Sequence, residues 1–533
     1  MNRNRSSSWV VFSLIAFGAL VVVACLPVIY GVLHAFGGEG ESGTVLDARQ
    51  RTLLWNSILI AGCTSLVSTL LGVSVGLALE YVRVPMRGLL AWCVAVSFLI
   101  PSYVAAIAWI EIAGNSGVIA KVLSALGGGV GAPSVYGIPG TIWVLSLAYY
   151  PLVAAATVVA LMGFDHRLDE SARLVAQPFR RLVGVVLPLL SPTILAGSLF
   201  VFLLALVGYA VPSLLQVNVY PVDIHNRFSA FHDIRGGFAQ AFLLLLIGGL
   251  AVGLWYWRVR PSRRWAMTPS QPGVPRTTKR TRIWAAIWCW GVVGVSMGLP
   301  MAVLIWRALP LSSFVDVWKT AWQEFAASIM IAACAATLIT VLGACAVYAS
   351  RHGRLKGAVF GASAVPFLIS GPALGIGLIV LWNHEGPRSL VYDSVAVAVL
   401  ACAARFLFVG IAGTEAALGR LKPALGEAAA LSGASWYRQA LGIDLPLSLP
   451  WLAGVWGLSF LLAFGEVDAT LLVMPPGVTT LPVRIFGLMH YGPSELVAAL
   501  SITIAGVVAT GAALTVATCL FVRRRLYAHH ASR

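Results

Sequence analysis

The chain has 533 residues, 59% of them hydrophobic and only 11% charged, against roughly 25% charged in a soluble globular domain, so a water-soluble fold is excluded. Several apolar runs reach the ~20 residues a helix needs to cross a hydrocarbon core of about 30 Å. The net charge of +16 raises nucleic acid as a partner, but the placement of the charges along the chain supplies another explanation.

In chain order, the apolar blocks predict membrane helices at 9–33, 54–79, 88–111, 139–163, 192–216 and 237–257, then at 283–306, 325–349, 357–382, 394–417, 449–474 and 495–521. The first block follows a basic flank like that of a signal peptide. It is longer than a typical signal core and lacks a clear small-residue cleavage site, so a retained first helix is expected. With twelve crossings and both termini inside, 26 of the 36 Lys and Arg residues fall on the cytoplasmic side, nine on the opposite side, and one, Arg405, within a helix. This positive-inside asymmetry sets the orientation and accounts for the basicity without nucleic acid. All eight cysteines lie in apolar blocks with no paired spacing, so neither a disulfide framework nor a zinc site is expected.

Residues 258–282 carry eight basic residues, no acidic ones and four prolines, the composition of a solvated linker. The expected organisation is a first six-helix repeat at 1–257, this linker at 258–282, and a second six-helix repeat at 283–533. The second block reads Ser57-Ile58, Cys63, Thr69, Gly72, and the eighth reads Ser328-Ile329, Cys334, Thr340, Gly343, with one constant offset between every pair. Six crossings return the chain to its starting side, so both copies are expected to point the same way about an axis along the membrane normal. The fold class predicted is therefore an all-α polytopic membrane protein of about twelve transmembrane helices in two tandem repeats.

Between the tenth and eleventh blocks, Glu427-Ala428-Ala429-Ala430-Leu431-Ser432-Gly433 is followed by nine residues and then Ile443-Asp444-Leu445-Pro446. Glu427 to Leu431 favour helix, Gly433 can take the left-handed conformation that ends one, and Pro446 with Pro450 resets the chain for re-entry. A weaker copy precedes the fifth block: Glu170-Ser171-Ala172-Arg173-Leu174-Val175-Ala176, then Val186-Leu187-Pro188. There Ala176 stands in place of glycine and Val186 in place of isoleucine, and Glu170 to Pro188 spans 18 positions against 19 for Glu427 to Pro446. A side chain forced into the left-handed region costs on the order of 1 kcal/mol, so this turn is expected to differ in shape.

The spacing E-A-A-x-x-x-G-x9-I-x-L-P resembles the signature E-A-A loop of permease subunits in binding-protein-dependent ABC importers of bacteria. Further stretches extend the resemblance over nearly the whole chain. They are Ile100-Pro101-Ser102-Tyr103 through Ile110, Tyr136-Gly137-Ile138-Pro139-Gly140, Gly371-Pro372-Ala373-Leu374-Gly375-Ile376-Gly377 and Gly465-Glu466-Val467-Asp468-Ala469-Thr470. In these the chain is similar to the fused, double-length permeases associated with ferric iron uptake, with thiamine permeases as near relatives. The resemblance implies a multi-pass inner-membrane protein with both termini cytoplasmic. It also implies two ATP-binding cassette subunits that hold ATP and Mg, and a periplasmic substrate-binding protein. The coupling residues implied are Glu170, Ala172, Ala176 and Pro188 in the first loop, and Glu427, Ala428, Ala429, Gly433, Ile443, Leu445 and Pro446 in the second.

None of the five lysines is preceded by glycine, so the chain has no G-x-x-x-x-G-K-[ST] phosphate cradle, and no cofactor is expected to bind it. Paired catalytic residues and an H-E-x-x-H zinc motif are also missing from the sequence, which leaves no foothold for a membrane enzyme. The other rival, an ion-gradient-driven secondary transporter, would place ionisable residues near the midplane, and Arg405 is nearly alone there. Two readings stay open for Arg405, Glu466 and Asp468. Either the acids line the outer mouth of a pathway with Arg405 facing the bundle interior, or the acids sit at the interface and Arg405 pairs with a nearby carboxylate or carbonyls. Glycines such as Gly72, Gly76, Gly343, Gly375 and Gly377 are read as helix-packing positions.

Overall fold

The computed structural model describes residues 7–36, 47–126, 134–164, 177–259, 278–309, 312–351, 355–386, 388–491 and 494–531. Among them there is no strand. Eleven helices are long and apolar enough to cross a membrane, and a bent pair makes twelve. The main elements are α1 (Ser8–Ala35), α2 (Ala48–Val82), α3 (Arg87–Leu99), α4 (Ser102–Ala113), α5 (Ile138–Met162), α6 (Phe179–Val207), α7 (Tyr220–Ser229), α8 (Ile234–Arg258) and α9 (Lys279–Arg307). They continue with α10 (Val317–Ser350), α11 (Lys356–Leu368), α12 (Gly371–Trp382), α13 (Ala396–Leu418), α14 (Pro423–Leu431), α15 (Trp436–Phe464), α16 (Leu481–Tyr491) and α17 (Glu495–Arg524).

The expected helices hold in number and differ in detail. The spans predicted at 88–111 and 357–382 are each broken into two helices. The breaks lie at Ile100-Pro101 and at Ile369-Ser370, and α11 and α12 meet at 105°. Proline removes a backbone donor and biases the preceding residue to extended backbone, which accounts for the first break: Ile100 has φ −65° and ψ 125°. The spans predicted at 192–216 and 449–474 lie too far along the chain. Helix α6 stops at Val207 and α15 at Phe464, each before a glycine; beyond α6 the chain breaks at Gly208-Tyr209 and forms a short helix at Ala210–Leu214, whereas residues 465–480 beyond α15 are non-helical.

Matching local features recur in the two sequence halves. The pair α3/α4 and the pair α11/α12 share lengths, and one offset relates every boundary, from 87 to 356 at the start and from 113 to 382 at the end. Ser57 Oγ accepts from the Tyr220 backbone N–H at 3.0 Å and donates to Leu53 O. Ser328 Oγ accepts from the Leu481 N–H at 2.8 Å and donates to Glu324 O. Thus the same serine ties α2 to the start of α7 and α10 to the start of α16. Gly72 and Gly343 also occupy matching helix crossings: a Cβ on Gly72 would lie 2.6 Å from Tyr150 O on α5, and one on Gly343 would lie 3.2 Å from Gly410 O on α13.

Two compact units result, and they cut across the linear order. One comprises residues 1–43, 224–242 and 311–533; the other comprises 44–223 and 243–310. In the first, Leu20, Ala24 and Cys25 of α1 pack with Ala346 and Val347 of α10 and Leu407 and Ile411 of α13. In the second, Cys289, Val292 and Val293 of α9 pack with Val75, Ala78 and Leu90. The leading helix of each sequence half therefore joins the core built from the other half. The division at 1–257, 258–282 and 283–533 remains our proposal for how the chain is duplicated, and most of the linker lies outside the described residues.

Next to the matching serines, the units use ion pairs of opposite polarity. Arg49 at the start of α2 pairs with Asp223 at 2.9 Å, and Glu324 on α10 pairs with Arg484. Asp223 and Arg484 each stand three residues after the backbone N–H that the serine accepts. Glu324 and Arg484 are both mostly buried, whereas Arg49 is exposed. A double-mutant cycle on E324A and R484A, read by thermal melting of the purified protein, should give a coupling of roughly 1–3 kcal/mol. The R49A and D223A cycle should give less, because solvent screens an exposed partner.

Candidate functional site

Two features in the unit containing 311–533 bring together the residues singled out in the sequence. The first is the elbow at 419–448. Pro423 opens α14 at its first turn, where its missing N–H costs nothing. The helix closes in a Schellman turn: Ala434 N–H reaches Ala429 O at 3.0 Å and Gly433 N–H reaches Ala430 O at 3.1 Å, with Gly433 at φ +80°. Helix α15 then departs through a π-helical turn at Ala440–Asp444, and Leu445-Pro446 restores α-helix.

Glu427 and Ala428 are exposed on α14, Ala429 faces inward at 7% exposure, and Leu431 at the helix end is 89% exposed. Ile443 is half-buried and Leu445 exposed. The arrangement is a short helix, a tight turn and a second helix that runs unbroken into a membrane span.

The elbow is seated by residues that the motif did not single out. Trp436 packs on Trp9 and Phe12 with ring centroids at 5.2 and 5.0 Å, and its Nε1 donates to Ser8 Oγ at 3.2 Å. Tyr348 Oη donates to Trp436 O at 3.3 Å. Asp444, inside the I-x-L-P stretch, is buried and pairs with Arg351 at 3.0 Å. An apolar cavity of about 430 Å³ lies beside these contacts, lined in part by Phe12, Tyr348, Trp436, Leu441 and Leu452. The one cue in the sequence was an acidic residue in the middle of an apolar motif.

Of the first loop, Glu170, Ala172 and Ala176 lie outside the described residues. Pro188 is exposed just after a π-helical turn at Leu182–Val186, and a constant offset relates both to their counterparts in the second loop (182 to 440, 188 to 446). This offset corrects the pairing read from the sequence: Val186, fully buried, stands where the second loop has Asp444, and Val185 stands where it has Ile443.

The second feature is an ionic cluster. Arg405 lies tenth in the 23 residues of α13, close to mid-span. Its Nε is 3.2 Å from Glu466 Oε1 and its Nη2 is 3.3 Å from Asp468 Oδ2. The three side chains are 10%, 8% and 13% exposed, in the same order. Glu466 Oε1 also accepts from the Ala469 N–H at 2.8 Å, and Thr470 Oγ1 donates to Glu466 O at 3.1 Å. The acids therefore sit beyond the end of α15, on non-helical chain, and not inside an eleventh helix as the hydropathy suggested. Non-helical backbone at membrane depth persists only where protein or a wet cavity satisfies it, and here Glu466 caps the local turn.

The break between α11 and α12 meets this segment. A Cβ on Gly371, the first residue of α12, would fall 2.3 Å from Asp468 Cβ and 2.7 Å from its carbonyl carbon. Of the two readings open in the sequence, pairing of Arg405 with nearby carboxylates is what the geometry displays, while burial of the acids differs from a position at the membrane interface. Among the described residues no group of three or more His, Cys, Asp or Glu is placed to hold a metal.

A family model described as binding-protein-dependent transport system inner membrane component matches residues 68–265. PhnV of Salmonella typhimurium, a permease protein named for 2-aminoethylphosphonate transport, is 30% identical over 227 residues, 39% of this chain and 84% of its own. The Fe(3+)-transport system permease protein FbpB 2 of Haemophilus influenzae is 21% identical over 495 residues, 90% of this chain and 92% of its own. The putrescine transport system permease protein PotI of Escherichia coli is 27% identical over 246 residues, covering 41% of this chain and 86% of PotI. Shorter relatives thus match about two fifths of the chain and the longer one nearly all of it, as a double-length permease requires. A bundle of apolar helices with features repeated along one chain, and relatives that are permeases in each case, lead to one conclusion: the chain belongs to the inner-membrane permease family of binding-protein-dependent transport systems.

Proposed function

We propose that this chain is the whole translocation pore of an ATP-driven importer, and that it carries ferric iron delivered by a periplasmic binding protein. Two ATP-binding cassette subunits, holding ATP and Mg, dock on the elbow around Glu427 and on its counterpart around Glu170. Both termini and both elbows then lie on the cytoplasmic side. Closure of the ATPases pushes the elbows and rocks the helices between outward- and inward-facing states.

The observation that carries this reading is the elbow itself: an exposed helix, with an apolar residue at its tip, that is continuous with a membrane span. An amphipathic helix laid in a partner's groove is a common recognition mode. For the cargo, support comes from the nearly full-length likeness to FbpB 2 and from two buried carboxylates beside Arg405, itself near the middle of α13, the hard oxygen ligands that suit a highly charged cation in transit.

The test is reconstitution with the ATPase and binding protein in proteoliposomes. Uptake of radioactive ferric iron should require ATP on the ATPase side, and putrescine and 2-aminoethylphosphonate should not compete. In E466Q/D468N iron uptake should fall at least ten-fold. Uptake that continues without ATP under an ion gradient would overturn the energy source, and wild-type iron uptake in the double variant would remove the carboxylates from the pathway.

A further inference from the structure

We propose that Arg405, Glu466 and Asp468 form a water-releasable latch, present in only one of the two sequence halves, whose parting opens the permease along residues 465–480. The proposal rests on the reading of the chain as a transport pore and adds to it the place where the closed state is held.

The first half shows what the same segment looks like without charge. After α6 the chain reads Gly208-Tyr209-Ala210-Val211, and after α15 it reads Gly465-Glu466-Val467-Asp468; Leu214-Leu215 and Leu471-Leu472 follow at the same distance from each glycine. Tyr209 and Val211 are buried at the positions of Glu466 and Asp468. That segment is held by backbone and amide contacts, with Gly137 N–H on Leu215 O at 3.0 Å and Asn56 Nδ2 on Asn218 O at 3.1 Å. The first-half stretch is thus buried without charge, and it folds in part as a short helix, Ala210–Leu214, where residues 465–480 have none.

Burying an ionic cluster is a poor way to gain stability, because desolvation offsets the attraction, and apolar replacements often do as well or better. What charges supply instead is a favourable separated state in water. An apolar junction that parts exposes greasy surface, whereas a guanidinium and two carboxylates that part become hydrated. An ionic junction thus has two accessible states, closed and dry or open and wet, which is what a gate at membrane depth requires.

The cluster joins three elements at one point: mid-span α13 through Arg405, the non-helical segment through Glu466 and Asp468, and the broken end of α12, which sits on Asp468 through Gly371. Interrupted helices near the midplane are where many transporter folds place their substrate and ion sites, around which the rest of the fold rocks.

Cys402 is an internal reporter. It is fully buried on α13, three residues before Arg405. With the other seven cysteines replaced by serine or alanine, thiol labelling of Cys402 reads whether the junction is open. In the complete transporter, Cys402 should label slowly at rest and faster when the ATPases are trapped with ATP and vanadate.

Two variant sets should then move resting labelling in opposite directions. R405Q/E466Q/D468N keeps polar groups but loses the ion pairs, so labelling should rise on the order of ten-fold and ATP hydrolysis should run without binding protein. R405L/E466Y/D468V copies the buried side chains of the first half at 466 and 468, so labelling should fall below wild type and transport should stop. A cluster that only stabilises the fold would shift both sets the same way. That outcome, no change in either set, or a wild-type Cys402 protected in every nucleotide state would overturn the latch. Labelling at rest needs neither cargo nor ATPase, so the latch can fail while ATP-driven import stands, and the reverse.

Discussion

Replacing Gly433 with proline should abolish binding-protein-stimulated ATP hydrolysis in the assembled transporter while leaving insertion of the chain in the membrane intact. Gly433 sits at φ +80° and donates its N–H to Ala430 O. The proline ring locks φ in the negative region and leaves no N–H to donate, so both features of the turn are lost together. Helix α14 would then leave α15 at another angle, and the docking on an ATPase proposed above would be lost.

Glu427→Ala separates docking from folding. Alanine is the best helix former, so α14 should persist, and Glu427 is already exposed. On the docking proposed above, Glu427 is a contact in the ATPase groove, and a side chain at the centre of such an interface is worth about 2 kcal/mol or more, roughly 30-fold in affinity. The measurement is ATPase co-purification together with stimulated hydrolysis. Wild-type coupling in both variants would refute the role assigned to the elbow.

The second large effect is expected at Gly371. An added methyl group in Gly371→Ala would meet Asp468 Cβ at 2.3 Å and backbone atoms of Asp468 and Ala469 at 2.7 and 2.9 Å. Backbone cannot swing aside as the tip of a side chain can, so the non-helical segment must move off α12. Overpacking of this kind costs about 1–3 kcal/mol, and here the cost falls where the ion pairs of Arg405 are set. The expected result is a clear drop in melting temperature together with altered transport. Gly18→Ala is the control, since an added methyl there meets nothing within 4 Å. Equal melting temperatures for the two variants would show that the contact at Gly371 is soft.

The elbow was legible in the sequence because it is local. Ala-rich helix and left-handed glycine act over a few residues, and each appears where the pattern placed it, whereas Pro446 and Pro450 lie within the unbroken α15 and do not restart the chain. Its seating was not legible. Nothing near Trp436 in sequence points to Trp9 or Ser8 at the opposite end of the chain, and Asp444 finds its partner, Arg351, on the far side of two intervening spans. Similarly, Arg405 and the two acids stood out as charges in apolar surroundings, but the sequence left two arrangements open, and only the fold brings α13 against residues 466–468.

By itself, then, the sequence determined the medium, the number of spans, the repeated motifs and the helix–turn–helix of the elbow, because hydropathy, repetition and backbone preference are properties of short stretches. Tertiary structure alone decided where α6 and α15 stop, since buried irregular chain is as apolar as helix and hydropathy does not distinguish them. It also decided that α1 packs with the core of the second half and α9 with that of the first. Two similar halves offer chemically similar apolar faces, and which face a helix covers is settled by shape and close packing across the length of the chain, a property that no window of sequence contains.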